Sequence, residues 1–335
     1  CIGTYDNEPL PGVELVPLFS NAPTKYLAPR VGWRIRQYLQ HENIRFLGLQ
    51  HHYFGLLLRP FLLGLDVKVF AFSHNLEFQR WRSIGKWWWP LMKWTERWVY
   101  HWAEAVFFIS WHEAQDAVSV FGLPPEKCRY APYVVEPLVG YQPTTSLETI
   151  RQAIQADRDE KLLLFFGPQS YAPNREAVRA IVDRIHPILQ AKTSFRYRIL
   201  ICGGGLPAED ADIKNKTDEG IHYLGFVPVI EDYVLACNLV LNPVNQGGGV
   251  KTKLVEAVAL GKTVVSTQTG ARGVDPITFG PKLIQVPDTD WQAFAEAIIV
   301  ACEQPDTDTP TTFWATHGGT SAVRPVVDWL PSINE

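Results

Sequence analysis

Cysteine is scarce in this chain of 335 residues: five (Cys1, Cys128, Cys202, Cys237, Cys302), an odd number with no CxxC pair. That excludes a disulfide framework and a cysteine zinc site as organising devices and fits a reducing, cytoplasmic compartment. Long apolar runs are missing too. The longest, Phe54 to Leu65, is broken by Arg59 and Pro60 and is too short to cross a bilayer. No basic, apolar and small-residue series of a secretion signal opens the sequence. It begins on Cys1, so it reads as processed or as a piece of something longer. Glycine and proline (24 and 25 residues) recur without a period, which removes collagen-like and low-complexity classes.

What is present is an ordinary globular composition, 46% hydrophobic and 20% charged. At roughly 100–200 residues per domain, the length suits two domains. Net charge is −4 but unevenly placed. From Pro17 to Tyr100 there are 12 Lys and Arg against four Asp and Glu, while the remainder carries 19 basic and 31 acidic residues. Two domains with different electrostatic partners follow from that split. Nucleic acid is not expected as a partner, because basic density and recognition motifs are both lacking.

From Lys161 onward strands and helices alternate. Residues 162–167, 196–202, 221–224, 239–244, 263–267 and 283–286 read as strands. Helices are expected over 174–189, 229–236, 250–260 and 291–303. This alternation predicts a parallel sheet covered on both faces, a Rossmann-like doubly wound domain. The first half is less regular, with strands expected at 12–18, 67–73 and 105–110 and a helix at 31–40. The expected division is a domain over 1–140, a linker and helix over 141–160, a second domain over 161–305 and a tail over 306–335.

The strongest local signal is GGGVKTKLVEAVALGKTVVST, residues 247–267. Gly247, Gly248 and Gly249 leave backbone amides open to an anion. A helix starting near Val250 would point its positive end at that anion. Lys251 and Lys253 add charge beside it, and Glu256 suits the diol of a ribose. The bland alternative is a glycine-capped helix with a surface Glu; strand, glycines, lysines and helix together favour the ligand.

This segment resembles the donor site of the GT-B glycosyltransferases, specifically glycosyltransferase family four (group 1). The similarity extends to FFGPQSYAPNREAV (165–178), ILICGGG (199–205), YLGFVPVIEDYVLACNLVLNPV (223–244) and ALGKTVVSTQTGARGV (259–274). In the first half it takes in FSHNLEFQRW (72–81), VFFISWHEAQ (106–115) and YAPYVVEP (130–137). The resemblance implies two Rossmann-like parallel-sheet domains facing across a cleft. It assigns Glu256 to the donor ribose, the three glycines and Val250 to the diphosphate turn, and Gly225, Phe226 and Val227 to the base. Lys253 and His74 are the catalytic groups it implies, His74 facing the donor sugar. Asn75 and Glu77 are structural or acceptor-side, and Ser110 and Glu113 mark a structural strand-to-helix turn.

Three departures stand out. The first of the family's paired glutamates falls on Gly248, as in a glycine-rich subset. The arginine and lysine that clamp the diphosphate are not evident; Asn174 or Arg175 would substitute, Arg175 being equally readable as a solvated helix residue. The family's first strand and glycine-rich loop do not precede Gly12, so the first domain reads as incomplete by about fifty to sixty residues.

The implied function is retaining transfer of a sugar from a nucleotide-sugar donor to an acceptor hydroxyl, without cofactor or obligatory metal. The acceptor would be a glycan or a lipid-linked molecule of cell-envelope or extracellular polysaccharide synthesis. Alternatives are a non-catalytic nucleotide-sugar-binding module and a nucleotide-sugar epimerase. Between Trp81 and Trp102, tryptophans interleave with Arg and Lys, a composition that suits an anionic membrane at the inner face of the cell. Trp94, Trp98 and Trp102 recur every four residues and are expected to face the core. Of the adjacent Trp87, Trp88 and Trp89, at least one is expected to be exposed.

Overall fold

The computed structural model describes residues 1–4, 12–138 and 140–332; eight positions of the expected first domain and the last three of the expected tail lie outside them. The chain divides into two compact units, Cys1–Tyr130 and Ala131–Glu335.

In the first unit, β1 (Ile2–Thr4) pairs in parallel with β2 (Val16–Phe19). Helix α1 (Pro29–His41) then leads to β3 (Phe46–Gln50), α2 (Gly55–Leu62), β4 (Lys68–Ser73), α3 (Glu77–Ser83) and α4 (Trp89–Trp102). After these come β5 (Ala105–Phe108), α5 (Trp111–Phe121) and β6 (Cys128–Tyr130). The four strands β3-β4-β5-β6 form one sheet in that order, every pair parallel. The strand expected at 12–18 begins only at Val16, because Gly12 sits in a turn at φ 74°. Strands β3 and β6 have no counterpart in the sequence expectations: FLGLQ and CRY are too short and mixed to announce themselves. Helix α5 starts on Ser110, whose hydroxyl accepts the Glu113 N–H (3.3 Å), a side-chain cap that makes the expected structural turn.

The tryptophan expectation needs correcting at one position. Trp94 is 57% exposed, while Trp98 and Trp102 are half-buried against the core. Steps of four residues advance about 40° beyond a full turn each time, so such a series drifts across a helix face. The inward face of α4 is set by Thr95, Glu96, Val99 and Tyr100.

The second unit contains α6 (Leu147–Ala153), β7 (Lys161–Phe166), α7 (Ala172–Ala180) and α8 (His186–Lys192), then β8 (Tyr197–Cys202) and β9 (Ile221–Gly225). It continues through α9 (Ile230–Ala236), β10 (Leu239–Asn242), α10 (Thr252–Ala259), β11 (Thr263–Thr267), α11 (Pro276–Phe279) and β12 (Leu283–Val286). It closes with α12 (Trp291–Glu303), α13 (Thr311–His317) and α14 (Gly319–Ser332). A π-helical turn, Ile181–Ile185, joins α7 to α8; Pro187, which has no N–H to give, sits just beyond it.

Six parallel strands run in the order β12-β11-β10-β7-β8-β9. Successive residues of β7 feed opposite faces. Leu162, Leu164 and Phe166 enter one core with α9 and α10; Leu163 and Phe165 enter the other with α7 and α12. Each fully buried Leu or Phe contributes about 1.5–3 kcal/mol, so both faces are strongly held. Strand order reverses between β7 and β10, which is where open α/β sheets leave a crevice at the carboxyl ends of the strands.

The unit boundary falls at 130/131 rather than 140, and residues 306–332 belong to the second unit. The cause is side-chain and backbone pairing between the two segments. The Val135 amide donates to His317 O (2.9 Å), the His317 ring bonds Tyr133 O (2.9 Å), and fully buried Phe313 packs edge-on to Phe279.

Candidate active site

The two loops that flank the switch point meet. After β10, Val244 is held by the Thr267 hydroxyl (2.6 Å), and buried Asn242 donates to Ser266 Oγ (2.9 Å) and Gly270 O (3.0 Å). This anchored strand end launches the glycine turn, with Gly247 at φ 95° and Gly249 at φ 71°. A Cβ on Gly247 would lie 3.0 Å from the hydroxyl of Tyr171, the residue just before α7. Lys251 closes the turn by donating to Gly248 O (3.1 Å) and Gly249 O (3.3 Å).

Helix α10 starts here with no side-chain cap and no acidic residue in its first turn. Its first amides and its dipole therefore present unneutralised positive potential. Leu254, Val255, Ala257 and Val258 bury one side of α10, which leaves Lys253 and Glu256, three residues apart, together on the other.

Lys253 is the electrostatic centre. Its ammonium donates to Phe166 O and Asn174 Oδ1 (3.3 Å each) and lies 4.2 Å from the centre of the Phe165 ring. Among the described residues no carboxylate pairs with it. Burial, followed by the charge of Lys251, pushes its pKa down to about 7. Glu256 is half-buried and accepts the Tyr133 hydroxyl on Oε1 (2.8 Å). Burial and then this carboxylate push the Tyr133 phenol up to about 12.

Beyond β7, the Gly167 amide donates to Cys202 O (3.0 Å), and Asn174 donates to Pro168 O (3.0 Å) while accepting from Lys253. Gly203 packs against the Gly167 carbonyl so closely that no Cβ fits. At the end of β9, Gly225 takes φ 65°, Phe226 is 80% exposed and Val227 packs into the core, as Val250 does. Arg175 is committed elsewhere, pairing with Glu209 (2.7 Å) and Asp210 (3.8 Å). Asn174 is thus beside Lys253, and Arg175 belongs to a surface ion-pair cluster with Arg179.

In the first unit His74 follows β4. Its Nε2 is bonded to Gln50 Oε1 (2.7 Å), and its ring lies 4.6 Å from that of His51. His51 adopts φ 65°, an uncommon conformation for a side chain of that size, at the carboxyl end of β3. Burial lowers the pKa of both histidines, and their mutual charge lowers that of His51 further. Glu77 is buried and accepts from Tyr53 (2.7 Å) and twice from Arg80 (2.6 and 3.1 Å). Burial drives its carboxyl up, but those donors outweigh it and hold it low. Glu77 is therefore a structural hub. Among the described residues no group of three His, Cys, Asp or Glu is placed to share a metal ion.

Gln50, His51 and Tyr133 were not among the residues expected from sequence. Tyr133 lies 123 residues from Glu256, and Gln50 lies on a strand that the sequence did not announce.

A glycine turn feeding an uncapped helix, beside a lysine with no carboxylate partner among the described residues, is an arrangement suited to an anion at the switch point of a parallel sheet. Residues 160–304 match the family model described as glycosyl transferases group 1, and residues 4–137 match glycosyltransferase family 4. The chain belongs to glycosyltransferase family four (group 1), and it is a glycosyltransferase. No curated protein sequence matches significantly. Solved structures share the GT-B fold. Sucrose-phosphate synthase from Thermosynechococcus elongatus aligns with a TM-score of 0.74 at 14% identity, covering 98% of this chain and 85% of its own. Anabaena HepE in complex with UDP gives 0.71 at 15%, covering 95% and 86%, and has also been solved with UDP-glucose. WaaG, a glycosyltransferase involved in lipopolysaccharide biosynthesis, gives 0.59 at 15%, covering 89% and 80%.

Proposed function

We propose that the protein moves a sugar from a nucleotide diphosphate donor to an acceptor hydroxyl with retention of anomeric configuration. The observation that carries this reading is Lys253, a half-buried ammonium with no carboxylate partner among the described residues, beside an uncapped helix start and a glycine turn. Such a site lacks an anion, and a diphosphate supplies one. As the anomeric C–O bond breaks, its electron pair goes to the departing phosphate oxygen. Amides, helix dipole and Lys253 are aimed at that charge beforehand. The acceptor oxygen bonds the anomeric carbon on the same face, and its proton passes to the leaving phosphate. No protein nucleophile and no obligatory metal are needed on this route. Glu256 holds the ribose, oriented by Tyr133. Gly225, Phe226 and Val227 take the base. His74, kept neutral by burial and fixed by Gln50, offers a hydrogen bond to the sugar rather than a charge.

The UDP and UDP-glucose held by HepE make uridine donors the first to try. WaaG's part in lipopolysaccharide biosynthesis supports a role in envelope or extracellular glycan synthesis, with a glycan or lipid-linked acceptor. Five free cysteines, three of them buried, support a cytoplasmic setting.

The test is calorimetry with UDP-, GDP-, ADP- and TDP-sugars, followed by NMR assignment of the product anomer. One nucleotide should bind, and the product should keep the donor's configuration. Binding of none would remove the donor site, an inverted product would remove the retaining route, and turnover of donor without acceptor would point to epimerisation instead.

A further inference from the structure

Residues 74–76 connect β4 to α3 and carry His74. Leu76, at the N-cap of α3, has no polar side chain, so the helix receives no cap from its own sequence. Its first amides are bonded all the same, by a residue of α4.

Glu96 and Tyr100 lie four residues apart on α4, 0% and 1% exposed, on the side that Val99 buries in the apolar core of this unit. Glu96 accepts the amide of Glu77 on Oε1 (2.7 Å) and that of Phe78 on Oε2 (2.9 Å). Tyr100 donates its hydroxyl to Ser73 Oγ (3.1 Å), and Ser73, fully buried at the end of β4, donates in turn to Asn75 O (3.0 Å). The chain is thus tied on both sides of His74, at 73 and 75 through Tyr100 and at 77 and 78 through Glu96. A carboxyl and a phenol are costly to bury, and an apolar pair at 96 and 100 would suit the core better. Both direct their hydrogen bonds to the one stretch of chain that contains His74.

We propose that Glu96 and Tyr100 are positioning residues for His74. From the buried side of α4 they fix the chain before and after it, so that its ring leaves the carboxyl end of β4 in one orientation. Neither touches substrate. Gln50 holds the ring of His74, whereas Glu96 and Tyr100 hold the segment that bears it. The inference rests on the reading of His74 as the group that faces the donor sugar.

The experiment compares Glu96→Gln and Tyr100→Phe with Val99→Ala, a neighbour that packs against Gly55 and serves as the control for lost stability. Turnover is followed with whichever of the UDP-, GDP-, ADP- and TDP-sugars binds. The Cε1–H signal of His74, assigned by its loss in His74→Ala, is followed by NMR without any donor. Glu96→Gln should lower kcat about tenfold and Tyr100→Phe about threefold, with donor affinity unchanged and the His74 signal shifted in both. In a His74→Ala background neither should change kcat more than about twofold, since the group they position is gone. Val99→Ala should lower the urea midpoint while kcat and the signal stay in place. Full kcat with an unmoved signal in both variants overturns the proposal. So does a loss that adds in full to that of His74→Ala, or an equal loss in Val99→Ala, since either gives the two residues only a general part in the fold. Tyr100→Phe removes a single hydroxyl and decides by the same criteria if Glu96→Gln does not fold. If His74→Ala itself keeps full kcat, the reading of His74 falls and this inference with it; if it loses kcat and the other two do not, only this inference falls.

Discussion

The two units arrive at functional surfaces by opposite means. In the carboxy-terminal unit the candidate site is mostly main chain: glycines at positive φ, an uncapped helix start, and two side chains one helical turn apart. In the amino-terminal unit the corresponding features are side chains collected from separate strand ends, Gln50 and His51 from β3 and His74 from β4. Main-chain sites are written in one contiguous stretch and depend on glycine. Side-chain sites depend on strand register, and each contact depends on residues far apart in sequence.

The largest effect expected from that contrast is on Lys253. Lys253→Met should lower kcat by about 10²–10³-fold, some 3–4 kcal/mol, if the ammonium stabilises the leaving diphosphate. Stability should not fall, because the substitution removes a desolvated cation. The pH dependence has a definite sign. Lys253 loses its proton near pH 7 in the free protein, and a bound diphosphate would raise that value. Binding should then take up a proton, and donor affinity should weaken as pH rises above about 7. Calorimetry in buffers of different ionisation enthalpy checks this, and the dependence should vanish in the variant.

Next is Gly203, at φ 134° with the Gly167 carbonyl where a Cβ would go. Gly203→Ala should cost about 3 kcal/mol, from backbone strain plus collision of the loops after β7 and β8. Gly64, at φ 78° with nothing within 4 Å, is the control from the other unit; Gly64→Ala should cost only about 1–2 kcal/mol. Urea midpoints compare the two. Equal losses would mean that conformation alone, not close packing, makes the glycine necessary. Smaller again is Glu256→Ala, for which a tenfold weaker nucleotide affinity, about 1.4 kcal/mol, is expected by calorimetry.

The same contrast explains what could be read in advance. The six-stranded sheet was legible because its inner strands β7, β8, β10 and β11 are mostly apolar runs buried on both faces, and the part-exposed edge strands β9 and β12 keep the same alternation with helices. The glycine turn before α10 was legible as a turn because its glycines, lysines and helix are consecutive. Tyr133 was not, since nothing in YAPYVVEP indicates that its hydroxyl meets a carboxylate on α10. Nor were α13 and α14: their packing depends on an edge contact between Phe313 and Phe279 and a backbone bond to residue 135. Trp94 was misjudged because a four-residue repeat was treated as one face. The true inward face of α4 is polar in part, containing Thr95 and a buried Glu96 whose carboxyl is pushed up to about 8 by burial.

The smallest effect tests whether the side-chain cluster of the first unit matters as geometry. Gln50→Ala removes the 2.7 Å hydrogen bond to His74 Nε2 and nothing buried, since Gln50 is exposed. Losing one such bond is worth about 1 kcal/mol, so kcat should fall about fivefold with donor affinity unchanged. The pH profile separates positioning from charge. Burial lowers the pKa of His74, so the imidazole stays neutral below the ordinary histidine range. Activity carried by neutral His74 should therefore persist as pH falls through 6.5 and drop only on further acidification. In Gln50→Ala the ring gains water and freedom, so the acid limb should move upward toward 6.5. An unshifted limb with kcat reduced would leave Gln50 in contact with substrate itself. An unchanged kcat would mean that the tilted ring contact with His51, its centre 4.6 Å away, is enough to hold the ring.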